Sequence, residues 1–368
     1  MLVLEGAAER PLTRARLVAL TLAAVMVVHH AAVWAWVTRH EGIAWSTLLT
    51  GWDSEHYNAI IRDGYSGSLF AFLPLYPWTV AALWALLGRG VPPEWVGALL
   101  SLCCFLAFVG LASRARTEEG DAGLRPRTGW GWFVFLFSPA SYVFHSHHGE
   151  ALFLLLSYAA LTWAWQRRWR AGALAAGLSV LARNQGVLVG LATAALTYVR
   201  HPAGPGRRRA LAGTFAIGAA SGVALLAAEY ALSGGNALAH LEAQRSWRQV
   251  QSLEELLRTF WWGNPWQRLY LDSALHHLLW FALGAIALVL RGPSRPLALY
   301  VWASLALMPL QAELINVYRY GAVLFPAWFA LGDGLARAPA WVRWPAAIGW
   351  VLLNHQVTYN FALERWAY

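Results

Sequence analysis

Residues 51–78 read "GWDSEHYNAIIRDGYSGSLFAFLPLYPW", and set Trp52, Asp53, Glu55, His56, Arg62 and Asp63 between two long apolar runs. Carboxylates, an imidazole and a guanidinium in one short stretch are the groups that move protons and hold anions. If "DSEHYNAII" is helical, Asp53, His56, Tyr57 and Ile60 share a face by their i, i+3, i+4, i+7 spacing, while Glu55 points elsewhere. Asp53 then has two readings. It is either the helix N-cap, worth about 1 kcal/mol, or a general base; its place beside other convergent acids and arginines favours the base.

Three further stretches carry unusual polar residues. "FHSHHGE" at 144–150 offers His145, His147, His148 and Glu150. It lacks a spacing such as H-E-x-x-H, so no metal is expected, and Glu150 at a helix start also suits the helix dipole. Arg319 in "VYRYG" either snorkels to headgroups or holds an anion. Arg183 sits in "ARNQG", where a Gly-flanked break with Asn184 and Gln185 costs helical stability for no evident packing gain. An anion would account for an arginine at that depth.

The elements that must position these groups are apolar. The chain has 368 residues, 58% of them hydrophobic and 13% charged, with a mean hydropathy of +0.43. That is too much apolar surface for one or two soluble cores. The expectation is one all-α, polytopic membrane domain over 1–368, with lipid as its main solvent. Spanning segments are expected near 17–38, 94–113, 128–145, 150–166, 210–232, 272–290, 296–313, 320–336 and 340–361, with a divided one at 171–199. The first run, Leu17 to Val37, is too long for a signal-peptide core and is expected to be retained.

The net charge of +9 comes from arginine clusters between apolar runs, the pattern of cytoplasmic loops rather than of a nucleic-acid binder. All 28 basic residues are Arg, which points to a GC-rich, bacterial genome. With 14–18, 114–127, 167–170, 200–209 and 291–295 inside, residues 39–69 fall outside, yet two apolar runs separate them from 114–127. One run therefore does not cross. The run 73–88, short and carrying Pro74 and Pro77, is expected to be an embedded helix on the outer side. The polar residues then gather on the extracytoplasmic face. Cys103 and Cys104 are adjacent and receive no role.

These motifs carry a family resemblance. "WDSEHYNAIIRDGY" followed by "FAFLPLYP" resembles the Trp-Asp-x-x-His-aromatic, Gly-Tyr and Phe-x-Pro-x-aromatic-Pro signature of the mannosyltransferases that add the second mannose of glycosylphosphatidylinositol anchors, and of their bacterial relatives. "SPASYVFHSHHGEALFLLLSYAAL" at 138–161 is similar to that family's Asn-Pro-Ala-Ser, Ser-Glu-x-Leu-Phe segment, with Glu150 on the acid. "ARNQG" is similar to its Arg-x-Asn-Gly break, and "YRYGAVLFPAWFAL" at 318–331 to its Arg-aromatic segment. Ser138 stands where the family has Asn, His148-Gly149 where it has Tyr-Ser, and the Asn of the break is shifted by one place. These departures bear on the acceptor more than on the reaction class.

The resemblance implies a GT-C-like multi-spanning bundle with extracytoplasmic loop helices, and a polyprenyl-phosphate-dependent glycosyltransferase. It moves a sugar, with mannose expected, to a hydroxyl of a lipid-linked or extracytoplasmic glycan acceptor, and needs no cofactor. The implied base is Asp53. Arg183 and Arg319 are the expected phosphate ligands, and Trp52, Glu55, His56, Glu150 and Asn184 would orient substrate. The Trp-rich loop 258–272 and the helix 73–88 would form lid and floor. A secondary transporter or lipid flippase is the alternative, although no internal repeat supports it.

Overall fold

The computed structural model describes residues 10–114, 123–247, 271–290, 292–308 and 316–365, and these form helices and connecting turns without a strand. Among the described residues, three helices are long and apolar enough to cross a membrane: α1 (Arg10–Glu41, within which Arg14–Glu41 qualifies), α5 (Pro93–Arg114) and α10 (Pro205–Ser233). Pro205 starts α10 where a missing N–H costs nothing, and left-handed Gly234 ends it by donating to the Tyr230 carbonyl. The outward faces of α1 and α10 expose Leu17, Val28, Phe215 and Val223, surface that water solvates poorly and lipid covers well. This is a membrane protein.

Between α1 and α5 lie the short helices α2 (Trp45–Thr50) and α3 (Asp53–Asp63), a 3₁₀ turn at Gly67–Ala71, and α4 (Leu75–Leu86). At about 1.5 Å per residue, α4 is roughly 18 Å long, short of a hydrocarbon core of about 30 Å. Its buried face, Tyr76, Pro77 and Val80, turns toward protein.

The run 128–145 is not one helix. It divides into α6 (Gly129–Leu136) and a 3₁₀ turn at Ser141–Phe144, because Pro139 lacks the donor that a continuing helix needs. Every residue from Val134 to Ala151 is buried; non-helical backbone is tolerated at such depth only inside protein. The run 320–336 likewise divides, into α14 (Val317–Ala322) and α15 (Phe325–Leu335), at Pro326. The division of 171–199 is as expected: α8 (Trp169–Ala182) and α9 (Gly186–Arg200) flank an extended Arg183. A side chain at Gly186 would run into the Ser179 backbone, so that glycine lets the two halves close up.

The remaining helices are α7 (Glu150–Trp165), α11 (Ala239–Trp247), α12 (Leu271–Ala287), α13 (Arg295–Leu307) and α16 (Ala340–Ala362). The core that α5, α6, α7 and α15 share is aromatic. Phe108 meets Tyr158 edge-on at 5.0 Å, Phe105 stacks on Phe144 at 5.4 Å, and Phe135 meets Phe329 at 5.3 Å. Asp333 of α15 accepts from the backbone N–H of Arg127 and of Thr128, both at 2.9 Å, and so fixes the start of α6. Residues 115–122, 258–270 and 309–315, which carry the middle of the 114–127 arginine cluster, most of the Trp-rich loop and the segment before Arg319, lie outside the described residues.

Candidate active site

Asp53 is the first residue of α3, not its cap. Trp52 holds the cap position with φ 61° and ψ −129° and makes no capping bond through its side chain. That backbone is strained for a residue with a Cβ, at a cost of order 1–3 kcal/mol. It turns the start of α3 so that the Asp53 carboxylate leaves the helix end and accepts from Arg319 Nη2 instead.

Arg319, in the single short turn α14, also donates through Nε to Glu150 Oε1. Glu150 opens α7, and the same Oε1 pairs with Arg183 Nη1 from the break between α8 and α9. Two carboxylates and two guanidiniums thus form one connected cluster with no net charge. Its polarity in space is uneven. The Glu150 side chain is 0% exposed and Arg319 5%, whereas Asp53 is 25% exposed. Glu150 is the floor and Asp53 the open edge. The Tyr320 ring lies beneath both cations, 5.0 Å from the Arg183 guanidinium and 6.0 Å from that of Arg319, a cation–π platform that holds them flat.

Burial pushes the Asp53 carboxyl up, but the charge and hydrogen bond of Arg319 outweigh it and hold the group below the usual aspartate range. Asp53 is therefore ionised at neutral pH. Behind the cluster, burial and the neighbouring His148 push His147 down to about 3. Burial and the Arg319 charge push His148 down to about 4. Both imidazoles are neutral.

The turn that carries them is tied down at several points. Ser54 Oγ donates to the His147 carbonyl at 2.8 Å and Ser101 Oγ to that of His148 at 2.7 Å. The Tyr76 hydroxyl lies 3.0 Å from His147 Nδ1 and donates to the Gly97 carbonyl at 3.0 Å. From the other side, His30 of α1 bonds His145 at 2.8 Å and Asn354 Oδ1 of α16 at 2.9 Å, and Asn354 Nδ2 donates to the Ser138 carbonyl at 2.8 Å. The three histidines of "HSHHGE" are turned to separate partners, and no group of three or more ligating side chains among the described residues could hold a metal.

Asp53, expected as the base, and Arg183 and Arg319, expected as phosphate ligands, are together, and Glu150, expected only to orient substrate, is what joins the two arginines. The expected orienting residues are divided. Trp52 packs against the core beside Asp53. Glu55 is exposed on the opposite side of α3, and His56 lies against the Phe72 ring at 4.9 Å. Asn184 is also exposed; the break instead buries Gln185, because the extended Arg183 reverses the direction of its successor. Tyr320, Tyr76, His30 and Asn354 were not anticipated. The available signal for the last two was a short polar cluster within a long apolar run, His29-His30 and Asn354-His355-Gln356. Comparisons of the chain with protein-family models, with curated proteins and with solved structures returned no match.

Proposed function

We propose that the protein is a membrane glycosyltransferase of GT-C type that transfers a sugar, with mannose expected, from a polyprenyl-phosphate donor to an acceptor hydroxyl. The observation that carries this reading is the cluster itself: a partly exposed carboxylate in a cluster with one buried and one half-buried guanidinium, which is what a base and a phosphate site require together. In the reaction the acceptor oxygen bonds to the anomeric carbon and its proton passes to Asp53. The bond from that carbon to the phosphate oxygen breaks, and the electron pair leaves with the phosphate. The phosphate gains a second negative charge as Asp53 loses its own, so the net charge of the site is unchanged through the step. Arg183 and Arg319 stabilise the leaving phosphate, which is where charge develops. Glu150 holds the two guanidiniums in place.

The chain is read as multi-pass, with the site on the extracytoplasmic face of a bacterial plasma membrane. The arginine clusters at 167–170 and 200–209 support this, since α8 and α9 run from them to the break at Arg183. Position 66 is then outside and position 127 inside. In a Cys103→Ala/Cys104→Ala background, Ser66→Cys is expected to react with an impermeant thiol reagent added to intact cells, and Arg127→Cys only after lysis. Reaction at 127 from outside would overturn the orientation.

The direct test is turnover of a polyprenyl-phosphate mannose by purified protein with a hydroxyl acceptor, read as a new glycosidic bond. Movement of the lipid across vesicles with no covalent change would favour a flippase. Arg183→Ala is expected to weaken donor binding and turnover, and Arg183→Lys to recover only part, because an ammonium keeps the charge but loses the planar fork and its stacking on Tyr320. Wild-type donor affinity in a folded Arg183→Ala protein would remove Arg183 from the phosphate site.

A further inference from the structure

Both guanidiniums of the cluster are engaged by carboxylates. Arg319 donates to Asp53 and Glu150, and Arg183 pairs with Glu150. A phosphate entering this neutral set adds negative charge where the existing carboxylates already balance the cations. It gains strongly only by taking the place of one of them.

The two carboxylates are not equally replaceable. Glu150 is 0% exposed and is held by both arginines, so its removal would strand an anion in the interior. Asp53 is 25% exposed, is held through Arg319, and can turn its charge toward water. We propose, building on the glycosyltransferase reading, that the donor phosphate displaces Asp53 from Arg319, so that the base is released only as the donor seats. In the resting protein Arg319 keeps the base masked. With donor present, the same guanidinium becomes a phosphate ligand and the freed carboxylate is available to the acceptor hydroxyl.

The alternative role for the pair is pre-organisation, in which Asp53 aims Arg319 at the phosphate. The two roles predict opposite signs in one binding experiment. Undecaprenyl phosphate is titrated into nanodiscs of zwitterionic lipid holding wild type, Asp53→Asn, Arg319→Gln and the double variant. If Asp53 competes for Arg319, Asp53→Asn binds tighter by about tenfold or more, the scale of coupling between contacting charges. Arg319→Gln then costs more affinity in the Asp53→Asn background than in wild type. If Asp53 pre-organises Arg319, Asp53→Asn binds more weakly or equally and Arg319→Gln costs less in that background; either result overturns the exchange.

Asp53→Ser, which removes the carboxylate differently, repeats the test if Asp53→Asn does not fold, judged by size exclusion and thermal unfolding. Failure of both variants to fold would make the pair structural and overturn the exchange as well. Parallel titrations with inorganic phosphate and phosphatidic acid separate the possible sources of the anion. Equal affinity for either would overturn the polyprenyl phosphate as the displacing group. A wild type that binds no undecaprenyl phosphate would sink the glycosyltransferase reading itself; binding that Asp53→Asn does not tighten would sink only the exchange.

Discussion

Asp53→Asn is expected to insert and fold, and to lose on the order of 10² to 10⁴ in turnover. Asparagine has nearly the same shape and can still accept from Arg319 through its amide oxygen, but it has no carboxylate to take the acceptor's proton. Because Trp52 holds the cap position of α3, the substitution removes no helix cap. Arg319 keeps its bond to Glu150, so no cation is stranded. A rate loss in a protein of normal thermal stability therefore reports on the chemical step. Turnover within a few fold of wild type would end the assignment of Asp53 as base, and Glu150 would have to be tried in its place.

Glu150→Gln is expected to act on folding. Its carboxylate is fully buried and pairs with two guanidiniums at once, and removing one partner of a buried charge pair typically costs about 3–5 kcal/mol. Expression should fall, and the unfolding temperature in detergent should drop well below that of wild type. Glu55→Gln is the control. Glu55 is exposed on the other side of α3, and surface substitutions of this kind usually stay within about 0.5 kcal/mol. Equal stability of Glu150→Gln and Glu55→Gln would mean that the cluster is not the keystone that its burial implies.

The four charged residues were legible in the sequence for an energetic reason. In a chain this apolar, a charge beside a helix break is expensive and stands out against its surroundings. Which acid meets which arginine was not legible, because Asp53 and Arg319 are 266 positions apart and no local spacing links them. The conformation of Trp52 was also hidden, since a tryptophan with positive φ follows from the packing around it and not from its own preference. That is why Asp53 reads as a cap locally and is not one. The division of 128–145 was missed because a continuous apolar run has the composition of a spanning helix and of a buried irregular segment alike. Pro139 was the available sign, as Pro326 was for 320–336. The place of Asn184 was hidden for a similar reason: the residues mark a break at Arg183, but the side its neighbours face depends on the extended backbone that the break adopts.

The span of the cluster along the chain also imposes an order on biosynthesis. Glu150 emerges from the ribosome 169 residues before Arg319, and at about 5–20 residues per second that is an interval on the order of ten seconds or more. For most of that interval Arg183, from the neighbouring hairpin of helices, is the counter-ion already made. His30 waits longer still, because Asn354 follows it by 324 residues. The nascent chain must therefore insert its early helices before their polar partners exist, with Arg183 as the interim guard of the central carboxylate and α16 bringing Asn354 to His30.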